Sequence, residues 1–210
     1  MDAILIDAGT GNLHSVQNAL LNLGYNTRIT ANPADLATPA RLILPGVGAF
    51  GCFMDGMRVA GLVQAVRAAV QRGDPLLGIC VGMQALFDVG LEMGEHPGLG
   101  LLRGQVVRFP EFKELKVPHT GWNQLHPARV SPLLEGLPDG SYAYFNHSFY
   151  CAPHDASDTL LTTDYGIDFT SAVQRDNIFG VQFHPEKSQL VGQKILAKLK
   201  VYEGAEHPHA

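Results

Sequence analysis

Pro75-Leu76-Leu77-Gly78-Ile79-Cys80-Val81-Gly82-Met83-Gln84-Ala85-Leu86-Phe87 carries an apolar run directly into a Gly-x-Cys-x-Gly turn and then into a segment with Met83, Leu86 and Phe87 at helical spacing. The run reads as a buried strand and the rest as the helix after it. The two glycines permit a tight strand-to-helix turn that leaves the Cys80 sulfur exposed at the helix N-terminus. There the helix dipole and free N–H groups favour the thiolate, the nucleophilic form. The pentapeptide alone equally suits a structural cysteine in a turn, since cysteine is among the most buried residues.

Around this turn the chain alternates short apolar runs with helical patterns, which predicts βαβ units and a parallel sheet of the α/β class. Ala3–Ile6, 27–30, 41–44 and 75–79 are the expected strands. Val16, Ala19, Leu20 and Leu23 mark a helix stopped by Gly24, and Leu62, Val63, Val66, Ala69 and Val70 mark one closed by Gly73. After Gly90 the texture changes to short strands punctuated by Gly and Pro, at 105–109, 142–145, 171–174 and 178–183, suggesting a largely antiparallel half. A last helix places Val191, Ile195, Leu199 and Tyr202 on one face, with Ser188 as its N-cap. One domain is expected over residues 1–203, followed by a loose tail at 204–210.

The 210 residues suffice for a core without disulfide or metal support, and a formal charge of −5 lacks the basic footprint of a nucleic-acid or anionic-membrane binder. Charged residues make up only 17%, which hints at a surface covered by a partner. The N-terminus has neither the basic start nor the apolar length of a signal peptide, and the 75–87 run is too short for a bilayer. Three scattered cysteines, Cys52, Cys80 and Cys151, fit a reducing compartment and no zinc site. A cytoplasmic enzyme without metal or cofactor is the expectation.

A cysteine nucleophile needs a base. His184-Pro185-Glu186 supplies an imidazole held extended by the following proline, with a carboxylate two residues on able to orient it and stabilise the imidazolium. Standing alone, it would equally suit a strand-end turn with an incidental charge pair. Pro45-Gly46-Val47-Gly48 follows another strand, and its Val47 N–H, joined by that of Val81, can form an oxyanion hole. By itself that loop is only a turn. Gly9-Thr10-Gly11-Asn12-Leu13-His14 is not read as a dinucleotide fingerprint, because His14 stands where a small residue is needed. Trp122, the single tryptophan, suits either a core or an interface anchor.

With Cys80, His184 and Glu186 in place, the chain resembles the class I (triad) glutamine amidotransferases. Four further stretches, 7–12, 45–50, 117–123 and 183–188, are similar to the glutaminase subunits of imidazole-glycerol-phosphate synthases, and the similarity runs from about Ala3 to Tyr202. The resemblance implies a three-layer fold, with a central, mostly parallel mixed sheet flanked by helices. It also implies that glutamine is hydrolysed to glutamate and ammonia for a separate (βα)8-barrel cyclase subunit, in a heterodimer serving histidine biosynthesis. On it, Cys80, His184 and Glu186 form the triad; Gln84 and Glu92 contact glutamine; backbone of Gly48, His147 and Ser148 helps hold it; and Asn12, Trp122 and Lys187 face the cyclase. Ala8, Thr120, Asn146 and Phe149 depart from the commoner family residues, and none lies in the triad. Rivals stay open on the residues alone: another triad amidotransferase serving a different synthase, a free-standing peptidase-like hydrolase of the same fold, and a glutamine-binding or redox-sensing module. The His184 and Glu186 pair favours turnover over sensing, because a sensor needs only the thiol.

Overall fold

The computed structural model describes residues 3–111 and 113–202, so the expected loose tail lies outside the described residues. β1 (Ala3–Ile6), α1 (Leu13–Asn22), β2 (Thr27–Thr30) and β3 (Arg41–Gly46) open the chain. α2 (Phe50–Val59) and α3 (Leu62–Arg72) then lead to β4 (Leu76–Cys80). β1 and β4 are buried at every residue, the pattern of parallel strands covered on both faces, and α1 stops two residues before Gly24, at φ 73°. Gly73, also left-handed, caps α3 and accounts for its end.

α4 (Val81–Gln84) is a single turn, and the chain then pairs as β5 (Phe87–Gly90) rather than continuing the helix expected through Phe87. Met83, Leu86 and Phe87 are nevertheless fully buried. Their apolar spacing reported burial correctly, and short apolar runs do not distinguish helix from strand. β6 (His96–Pro97), β7 (Leu102–Arg108), β8 (His119–Pro127), β9 (Ser141–His147), β10 (Phe149–Pro153), β11 (Thr159–Asp164), β12 (Asp168–Arg175) and β13 (Ile178–Val181) follow, and α5 (Gln189–Val201) ends the described chain.

The sheet runs β2-β1-β3-β4-β13-β12-β10-β7-β5-β6, with β11, β8 and β9 branching from β12. β2, β1, β3, β4 and β13 are mutually parallel, whereas β12 pairs antiparallel with both β13 and β10. The late strand β13 therefore returns to the parallel half and lies beside β4. Right-handed crossovers place α1 on one face and α2 with α3 on the other, because β1 to β2 and β3 to β4 run in opposite directions along the sheet. α5 joins the α1 side, where Tyr25 donates its hydroxyl to the Leu196 carbonyl.

Register decides where the chemistry falls. Gly46 lies opposite Cys80, and Ile79 opposite Val181, so the carboxyl ends of β3, β4 and β13 finish level with one another. The residues that follow these three strands include Val47, Val81 at the start of α4, and His184. In parallel α/β sheets that end is where ligands bind.

Candidate active site

Cys80 sits at φ 55° and ψ −112°, a conformation non-glycine residues rarely adopt and one that costs on the order of 1–3 kcal/mol. Close backbone packing holds it there. A Cβ added to Gly82 would lie 1.7 Å from the Leu44 carbonyl oxygen, and one added to Gly46 would lie 2.8 Å from Gly82 N. Only glycine lets β3 and the turn approach so closely. Cys80 is 3% exposed, yet it borders a cleft of about 300 Å³ shared with Val47, Gly48, Val81 and His184. Cys80 thus faces a cavity from a buried position rather than standing out at the head of a long helix.

β13 ends at Val181, two residues earlier than expected, and His184 leads into a 3-10 turn, Pro185–Lys187, with Pro185 at its first position. That turn, rather than an extended strand, brings His184 Nδ1 to 3.0 Å from Glu186 Oε1. Both side chains are buried, at 7% and 1% exposure. The backbone N–H of His184 donates to the Tyr144 carbonyl on β9. Ser188 stands at the N-cap of α5, as expected, but its side chain makes no capping bond; its hydroxyl donates to the His184 carbonyl and accepts from Tyr144 N–H, locking the turn to β9. Burial pushes the His184 pKa down, but hydrogen bonds to Cys80 and Glu186 and the charges on both outweigh it, raising it to about 9. An imidazolium is therefore held between a sulfur and a carboxylate.

Gly48, at φ 88°, gives the loop after β3 its left-handed turn. Glu92 Oε2 accepts from Phe50 N–H at 2.7 Å, tying the first turn of α2 and so fixing the far side of that loop. Glu92 also lines the cleft, as do Gln84, His147 and Ser148. Gln84 Nε2 donates both to the Phe149 carbonyl and to Gln182 Oε1, each at 3.1 Å, which leaves Oε1 of Gln84 to meet a ligand. The Ser148 carbonyl accepts from Phe109 N–H, which fixes the backbone at the cleft's edge.

Lys187 lines the cleft rim, with its ammonium 5.6 Å above the Tyr144 ring. Trp122 is 47% exposed on the outside of the hairpin formed by β8 and β9 and packs edge-on against Tyr144. Asn12 is exposed at the start of α1, apart from the residues lining the cleft. Gln182, which donates to Cys80 Sγ at 3.6 Å, is a residue the sequence reading missed. Its place two residues before His184, in the strand expected over 178–183, was the available signal, since alternate residues of a strand share a face.

A larger hollow, about 580 Å³, lies along 26–28 and 38–40 but holds no cysteine, histidine or carboxylate. Among the described residues no group of three potential ligands is placed to hold a metal ion, and no helix is long and apolar enough to cross a membrane.

The family model "Glutamine amidotransferase class-I" matches residues 4–202. "Imidazole glycerol phosphate synthase subunit HisH" of Syntrophotalea carbinolica is 48% identical over 198 residues, covering 92% of this chain and 96% of that protein. The protein of the same name from Salinibacter ruber is 50% identical over 197 residues, covering 91% and 90%. A solved structure described as a glutamine amidotransferase superposes with a TM-score of 0.72 at 22% identity, covering 94% of this chain and 99% of that one, and so shares the fold.

Proposed function

The chain belongs to the class I glutamine amidotransferase family, and on that premise we propose that it is the glutaminase subunit of an imidazole-glycerol-phosphate synthase in histidine biosynthesis. The observation that carries this reading is identity of about half to relatives of that name over nine-tenths of the chain. Cys80 and His184 on one cleft, with Glu186 buried behind the imidazole, supply a chemistry to go with it.

In the proposed reaction Cys80 attacks the side-chain amide carbon of glutamine, and the tetrahedral oxyanion is met by the N–H groups of Val47 and Val81. His184 gives its proton to the departing ammonia, leaving a glutamyl thioester on Cys80. Water then enters, His184 takes its proton as base, and glutamate leaves with the thiolate restored. Glu186 keeps the ring oriented and stabilises its charge in both halves. Gln84, Glu92 and the backbone of Gly48, His147 and Ser148 hold the substrate.

Free ammonia in neutral water is mostly protonated and no longer nucleophilic, so its use demands a shielded path to an acceptor. We assign that acceptor to a (βα)8-barrel cyclase subunit docked over the face that carries Asn12, Trp122 and Lys187, forming a heterodimer. The chain acts as one domain over residues 1–203 and works in the cytoplasm. Reconstitution tests the assignment: with the cyclase and its nucleotide substrate, glutamine should support formation of imidazole glycerol phosphate. If only a different amidotransferase acceptor consumes the nitrogen, the assignment is wrong.

A further inference from the structure

A chain of polar contacts runs from Asn123 through His119, neither of which the proposed reaction calls on, to residues that line the cleft. Asn123 Nδ2 donates to the Asp164 carbonyl at 2.8 Å and lies 3.3 Å from His119 Nε2, while its Oδ1 accepts from Gln124 N–H. His119 Nδ1 is 3.1 Å from His147 Nε2, and His147 Nδ1 is 2.8 Å from the Phe149 carbonyl. Gln84 bonds that same carbonyl and Gln182, and Gln182 reaches the Cys80 sulfur.

The direction of every bond follows from its two ends. The Asn123 amide is fixed by its bonds to Asp164 and Gln124, so it presents N–H to His119 Nε2, which must accept. A carbonyl can only accept, so His147 carries its proton on Nδ1 and offers a bare Nε2. Both constraints require His119 to be the neutral Nδ1–H form, donating to His147. Burial agrees, since it lowers His119 to about 4 and, despite the bond to the Phe149 carbonyl, His147 to about 3. Register brings the two histidines together as directly opposed residues of β8 and β9, and the His119 ring is stacked between Phe145 and Tyr165 at 4.9 and 4.0 Å.

We infer that His119 is a positioning residue: acting through His147 it fixes the Phe149 carbonyl, and through Gln84 and Gln182 it sets the donor that faces the Cys80 sulfur. His119 touches neither the cleft nor the nucleophile, and its contribution is a single donated proton of fixed direction. This inference rests on the glutaminase reading above.

Substitutions at 119 separate donation from packing. His119→Asn keeps an amide N–H near the position of Nδ1 but loses the stack, whereas His119→Phe keeps the stack and loses the donor. With full-length protein in complex with the cyclase, His119→Phe should lower kcat/KM for glutamine at least tenfold, mostly in kcat. His119→Asn should stay within about threefold of wild type, and Gln124→Ala, on the same strand, should be unchanged. If the Phe variant equals or exceeds the Asn variant, His119 is a packing residue and the inference falls. Wild-type turnover is the control that separates this failure from failure of the glutaminase reading. Should His119→Phe not fold, nitrogen-15 spectra of the histidine rings in the wild-type protein decide: both rings must be neutral with the proton on Nδ1 between pH 6 and 8. A ring protonated on Nε2, or an imidazolium, at either position overturns the inference.

Discussion

His184 and Glu186 meet at 3.0 Å across one 3-10 turn, with the carboxylate side chain only 1% exposed. Glu186 Oε2 has no partner among the described residues, so nearly all the carboxylate's influence is directed at the imidazole. His184→Ala should therefore reduce glutamine hydrolysis almost to the level of a nucleophile deletion, because it removes both proton donor and base. Glu186→Gln should retain distinctly more, since an amide oxygen can still hold the ring through Nδ1–H. Steady-state glutamate release checks both variants, and wild-type rates in Glu186→Gln would remove the carboxylate from the mechanism.

The raised His184 value sets an alkaline limit on activity. A pKa moved up from 6.5 to about 9 means the ring stays protonated through neutrality and loses its charge as pH rises past 9. The kcat/KM profile for glutamine should accordingly hold its plateau below that point and fall above it. Glu186→Gln should bring the alkaline limb to lower pH, because the carboxylate's hydrogen bond and charge both help to raise the value. A limb that does not move in this variant would place its origin in another group.

Gly82 is the packing keystone of the elbow. Gly82→Ala would put a methyl group 1.7 Å from the Leu44 carbonyl oxygen, where backbone itself must move. We expect a loss on the order of 4 kcal/mol or more in denaturant unfolding, the upper end for single substitutions. Gly48→Ala meets no atom within 4 Å and bears only the strain of φ 88°, on the order of 1–2 kcal/mol. Similar losses in the two variants would contradict this division between crowding and backbone strain.

The elbow and the His184 and Glu186 pair were readable because their chemistry is local: a glycine two residues to either side of a cysteine, and an imidazole with a carboxylate inside one turn. The parallel half was readable for a related reason, since fully buried strands show as unbroken apolar runs such as Leu42–Leu44 and Leu76–Leu77. Strand pairing is a long-range property. Nothing local announces that β13 returns to lie beside β4, or that His119 and His147 face each other across two strands 28 residues apart in sequence. α2, with two glycines in Phe50–Val59, offered no clear helical propensity and is held by burial of Phe50, Phe53, Met54 and Met57. The role of Ser188 was misread because a serine before a helix usually caps it, whereas here its hydroxyl serves Tyr144 and His184.

Two buried neutral histidines also predict acid sensitivity. His119 and His147 are lowered to about 4 and about 3, while in the unfolded chain they titrate near 6.5. Their depressed values mean that the unfolded state binds protons first, so their stability is intact above pH 6.5 and drains away as pH falls toward 4. Each pH unit in that window costs up to about 1.4 kcal/mol per histidine. Urea unfolding between pH 7 and 5 should show this slope, and His119→Asn should lessen it. A flat profile would mean that the rings charge without penalty.

In the proposed mechanism glutamine is opened on the Cys80 sulfur, and quenched mass spectrometry of the cyclase complex turning over glutamine tests this. Wild type should carry a glutamyl thioester, an adduct confined to the peptide containing Cys80, and release glutamate. Cys80→Ala should fold, bind the cyclase, carry no adduct and release no glutamate, while Cys52→Ala and Cys151→Ala remain active. Glutamate release that persists in Cys80→Ala, or an adduct on Cys52 or Cys151, would show that Cys80 is not the nucleophile.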